Sequence, residues 1–135
     1  MKIRSVLLAA VLAGSFALAA CGSDDKSSEA AEEQATPQQA IDEIGEVEGA
    51  LDTALTQVKA GDTAAAKETV SEAYVDHFEK VEGPLGKVDE QLNEELEEAI
   101  STELREKIES GASAAEIEKL IGEIKANLAT AKGKL

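Results

Sequence analysis

Aromatic side chains are almost missing from this chain. It has no tryptophan, one tyrosine (Tyr74) and two phenylalanines. Cysteine and histidine occur once each, as Cys21 and His77. A single cysteine excludes an intrachain disulfide, and the two residues together cannot supply a Cys/His zinc site. A lone histidine leaves little for nucleophilic catalysis. No Gly-rich phosphate loop and no nucleophile elbow occurs either, so the chain is expected not to be an enzyme. Positive charge is scarce as well: Lys+Arg number 13 against 28 Asp+Glu, a net charge of −15. A nucleic-acid partner is excluded on that ground, because displacing phosphate counterions needs cations. The length of 135 residues allows one domain.

What is present begins with an export pattern. Lys2 and Arg4 precede an uncharged apolar run, Val6–Ala20, that closes on small residues. The run is too short to read as a membrane span. Its end, Leu18-Ala19-Ala20-Cys21, resembles the lipobox of bacterial lipoproteins. That resemblance implies a cleaved signal at 1–20, a diacylglycerol on Cys21, and an extracytoplasmic protein anchored to a bacterial membrane. Two or more acyl chains hold a protein there where one would not. Loss of Lys2 and Arg4 takes the net charge from −15 to −17. The following stretch to Thr36 is polar and acidic, without large apolar residues, and reads as a flexible linker over 21–36.

The remainder, 37–135, predicts four amphipathic helices. Thr36-Pro37 is a cap and first position. Ile41, Ile44, Val47, Leu51, Leu55 and Val58 mark the face of a first helix that ends at Gly61. Asp62 caps a second, with Ala66, Val70, Ala73, Tyr74, His77, Phe78 and Val81 inward and Gly83-Pro84 as its end. A short loop holding Gly86 follows. Asp89 caps a third, carrying Leu92, Leu96, Ile100, Leu104 and Ile108 at steps of four. Such a stripe drifts by about 40° per step, so its buried face is expected to rotate. Ser113 and Glu116 form a capping box for the fourth, with Ile117, Leu120, Ile121, Ile124 and Leu128 inward. Short links predict an all-α, antiparallel up-down four-helix bundle.

The scarce residue types gather in one stretch, 73–85, AYVDHFEKVEGPL. His77 falls inside the apolar arc of the second helix between Ala73 and Val81, and Glu48 inside that of the first. Folding the helices back on each other brings Glu48, Tyr74, His77, Glu95 or Glu98, and Asn127 to one height. Carboxylates with imidazole or phenolate suit iron, manganese or copper(II). Glu79 and Glu82, one turn apart near a helix C-terminus, could share a cation that relieves the unfavourable dipole. Other E-x-x-E pairs, Glu43/Glu46, Glu95/Glu98 and Glu106/Glu109, read as solvated faces.

The order aromatic, Phe-Glu, Glu, Leu, carried by Tyr74, Phe78, Glu79, Glu82 and Leu85, resembles the soluble extracytoplasmic helical domain of bacterial high-affinity iron permeases. The similarity continues through Asp89, Leu92, Leu104-Arg105 and Gly111. The membrane helices of the permease are missing, so transport by this chain is not implied. The resemblance implies a lipid-anchored accessory module that binds or presents a metal cation, iron or else copper or manganese, beside an iron permease or other membrane protein. The expected metal residues are Glu79, Glu82, His77, Tyr74, Glu48 and Glu98. Two other readings stay open: a structural or protein-interaction lipoprotein with no metal site, and an inhibitor-like bundle that docks on an enzyme.

Overall fold

The computed structural model describes residues 35–135. The signal segment, Cys21 with its expected lipid, and the linker up to residue 34 lie outside the described residues. Among the described residues there is no strand, and four helical segments cover nearly all of them.

Helix α1 is Pro37–Lys59. Thr36 Oγ1 accepts the Gln39 N–H at 3.2 Å, and Gln39 Oε1 accepts the Thr36 N–H at 2.8 Å. Two orphan donors of the first turn are thereby satisfied. The helix stops because Gly61 turns left-handed, at φ 82°. Gly61 N–H then reaches Val58 O and Asp62 N–H reaches Gln57 O, which uses two of the free carbonyls. Helix α2 covers 63–88 in three stretches: α-helical Thr63–Glu72, a π turn at Ala73–Phe78, and α-helical Glu79–Val88. Helix α3 covers 90–109, with its own π turn at Ala99–Glu103. Gly111, at φ 74°, closes it in the manner of Gly61. Helix α4 is Ala114–Lys134, opened by the Ser113/Glu116 capping box.

The second helix does not end at Gly83-Pro84, and Gly86 is helical rather than in a loop. Proline ordinarily strains the residue before it through that residue's Cβ, and Gly83 has none. The ring of Pro84 is buried with Val81 and Leu85, and this packing offsets the lost backbone bond. The turn moves to Asp89, the one non-helical residue between α2 and α3 (φ −158°, ψ 86°). Its carboxylate accepts the Leu92 N–H at 3.0 Å.

The buried side chains are all apolar. On α1 they are Ala40, Ile44, Val47, Leu51 and Ala54, and on α4 Ile117, Ile121, Ile124, Leu128 and Ala131. Both sets step alternately by four and three residues, the 3.5-residue seam of helices that pack lengthwise. Ile41, Leu55 and Val58, expected inside, flank this seam and are only partly buried. Leu120 does the same on α4.

The π turns keep the other two seams in phase. On α2 the buried series runs Ala66, Val70, Ala73, Phe78, Val81, Leu85. Its one long step lies between Ala73 and Phe78, where the backbone bonds five residues back: Glu79 N–H to Tyr74 O. One extra residue is absorbed there. On α3 the stripe from Leu92 to Ile108 stays buried from end to end instead of rotating outward. The turn at Ala99–Glu103, closed by Leu104 N–H to Ala99 O, winds less per residue and takes up the drift.

Helix α1 lies against α2 and α4, and α3 lies against the same two. Ion pairs follow these contacts. Lys132 Nζ meets Glu48 Oε2 at 2.7 Å, Lys125 Nζ meets Asp52 Oδ2 at 2.8 Å, and Lys59 Nζ meets Glu118 Oε2 at 3.1 Å.

Candidate functional site

The π turn at Ala73–Phe78 sets the positions of the scarce side chains. The extra residue sends Phe78, not His77, into the core, where Phe78 is fully buried. His77 is displaced to the rim of the seam and faces α1. This corrects its expected place inside the apolar arc. Tyr74 packs its ring on Phe78, with centroids 5.9 Å apart and planes at 30°. Its hydroxyl donates to Glu82 Oε1 at 2.8 Å, two turns further along α2.

His77 Nδ1 lies 2.6 Å from Glu43 Oε2. A carboxylate only accepts, so the ring donates. Lys80 Nζ donates to the other oxygen of Glu43 at 2.9 Å. The hydrogen bonds from His77 and then Lys80 hold the Glu43 carboxyl below its ordinary value. Glu43 had been read only as part of a solvated E-x-x-E pair. Folding the first two helices back on each other about Gly61 sets Glu43 level with Lys80, and that is the signal the sequence offers.

Glu82 has the opposite character. Burial pushes its carboxyl up, the Tyr74 hydrogen bond pulls it down, and the negative charges of Glu97 and Glu79 push it up again. The Tyr74 phenol is raised above its usual range, chiefly by burial and then by its bond to Glu82.

The expected single layer is divided. Glu48 turns to α4 and its ion pair with Lys132, because it sits on the side of α1 that faces α4 and not α2. Glu98 is exposed on α3. Glu95 is exposed too and accepts from Gln91 Nε2 at 2.8 Å. Asn127 is half-buried on α4. Among the described residues no three His, Cys, Asp or Glu side chains form a group able to hold a metal ion.

What the fold does bring together is a cleft of about 740 Å³ between the start of α1 and the last turns of α2. Glu43, Glu79, Glu82 and Lys80 line it, with Val75 and Pro84 as its apolar part and Thr36 at its lip. Both members of the E-x-x-E pair therefore face one space. Carboxylate oxygens are hard ligands, and two of them would leave water to supply most of a cation's shell.

No protein-family model matches this chain, and no curated protein or solved structure is significantly similar to it.

Proposed function

We propose that this chain is a lipid-anchored extracytoplasmic accessory protein that takes up a metal cation, iron first among the candidates, as cargo beside a membrane permease. Its four helices are read as an antiparallel up-down bundle. One-residue and glycine-hinged links support that topology. So do the α1–α4 ion pairs, whose partners descend in number on α4 as they rise on α1.

The observation that carries the functional reading is the meeting of Glu79 and Glu82 in one cleft. The raised Glu82 carboxyl is in part a sign of like-charge crowding, which a cation would relieve. The resemblance of the Tyr74–Leu85 segment to the outer domain of iron permeases points the same way. The reading assigns the chain no catalytic role.

A second reading, a protein-interaction lipoprotein without a metal, is favoured by the engagement of Glu43, His77 and Glu48 in ion pairs within the fold. One experiment separates the two. The mature chain, with Cys21→Ser in place of the lipid, is titrated with ferric, ferrous, cupric and manganous ions while melting is followed. A ligand that binds only the folded state raises the melting temperature. The first reading expects a rise that Glu79→Ala/Glu82→Ala abolishes. A rise lost only in His77→Ala moves the site to the His77–Glu43 pair. No rise with any ion leaves the second reading.

A further inference from the structure

The cleft holds more chemistry than a cation alone would use. Val75 is 52% exposed and gives the cleft an apolar wall. Pro84 closes the cleft behind it, its ring packed inward with Val81 and Leu85. The carboxylates of Glu79 and Glu82, three residues apart on one helix, line the same space. The cation of the cleft, Lys80, already lies on Glu43. The volume of about 740 Å³ falls within the roughly 300–1,000 Å³ typical of clefts that accept a small ligand. It has room for a few side chains and not for a helix.

The chain's own leading segment is a poor occupant. Between Cys21 and Ala35 it carries Asp24, Asp25, Glu29, Glu32 and Glu33 against Lys26, the same sign as the cleft. Like charges brought together repel, so the occupant must be cationic and come from elsewhere.

We propose that this cleft docks a short peptide segment of a partner protein, bearing an arginine or lysine beside a branched aliphatic residue. The cation lies between Glu79 and Glu82, where a guanidinium can donate to both carboxylates. The aliphatic neighbour covers the exposed face of Val75. The inference rests on the accessory role proposed above for where the partner is found, and it names that partner's contact chemistry. It does not require a metal.

The test uses the mature Cys21→Ser chain, isotopically labelled, with a chelator present. The probe is a blocked five-residue peptide with arginine between leucine and isoleucine, and a glutamate-for-arginine peptide is the control. The proposal expects saturable amide shifts confined to 35–43 and 75–84. It expects no response to the control, and about tenfold or greater weakening in Glu79→Gln/Glu82→Gln, which removes both charge contacts. Glutamine keeps an acceptor for Tyr74, and circular dichroism checks the fold of the variant. Shifts spread over the acidic face of α3, or binding unchanged in the variant, overturn the proposal. Because metal is chelated, the outcome is independent of the melting titration: peptide binding can fail while a metal still raises the melt, and the reverse.

Discussion

His77 and Glu43 meet across the α1–α2 contact, Nδ1 to Oε2 at 2.6 Å, thirty-four residues apart in sequence. Lys80 completes the group from one turn further along α2. The three side chains fasten the start of α1 to the middle of α2, beside the cleft.

Glu43→Gln should therefore cost about 1 kcal/mol at neutral pH, the value of a charge-assisted hydrogen bond reduced for partial solvent exposure. The Glu43 carboxyl is lowered in the fold, so its contribution is present above the ordinary value of 4.5 and is lost as pH falls through the folded value. Urea midpoints at neutral and acidic pH measure this. An equal loss at both would contradict it.

Glu82 should behave in the reverse sense. Its carboxyl is raised in the fold, so its favourable contribution exists below 4.5 and disappears as pH rises through the folded value. Glu82→Gln keeps an acceptor for Tyr74 and removes the charge. It is expected to raise stability at neutral pH by a few tenths of a kcal/mol, screened as a partly exposed group must be. A lower melting temperature for Glu82→Gln at neutral pH would show that the charge is needed.

Tyr74 is the sole tyrosine, so tyrosinate absorbance reports on it alone. In the native protein the absorbance should rise at higher pH than in urea, because the phenol is raised from its ordinary value of 10.0. The same shift means that stability falls as the solution passes upward through the folded value. Coincident titrations in water and urea would remove the buried hydrogen bond to Glu82 from the account.

Deleting one residue from the π turn should be tolerated better than deleting one from ordinary helix. Without Asp76, an exposed residue of the turn, the buried series of α2 steps by four and three throughout. Deleting Glu68 instead puts every later seam residue of α2 out of phase, which buries polar side chains and exposes apolar ones. The urea midpoint of the Asp76 deletion should lie nearer that of the parent. The reverse order would mean that the turn is required for the fold itself.

Gly61→Ala and Gly111→Ala should each cost about 1–2 kcal/mol, the price of a left-handed residue with a Cβ. Beyond the adjoining residues nothing lies within 4 Å of either new Cβ, so the cost is in the local backbone. Thermal melts of both variants check this, and a neutral result at either would mean that its turn relaxes.

Much of the helix content was legible because the punctuation was chemically complete. Thr36-Pro37, Asp62, Asp89 and Ser113/Glu116 each supply a side-chain acceptor at a helix start, and all four act as caps. Gly61 and Gly111 end helices for the one reason glycine is suited to it. Pro84 misled, because the rule against internal proline assumes a Cβ before it and weak packing after it, and neither holds at Gly83 and Leu85. The site was less legible. A projection at 100° per residue has no place for a π turn, so it puts His77 in the core and gives α3 a rotating face; Glu48 is grouped with the wrong helix because the projection does not say which neighbour each side of α1 meets. The mark of the turn is the five-residue step from Ala73 to Phe78 in the buried series, and it shows only once the residues that are buried are known.

The corner at Asp89 has its own consequence for the cleft. A link one residue long has no slack, so α2 and α3 cannot bend independently near their junction. Lys134 Nζ holds the Asp89 carboxylate at 2.9 Å and ties α4 to the same knuckle. Glu79, Glu82 and Pro84 thus stand within about three turns of a corner where α2, α3 and α4 are all joined.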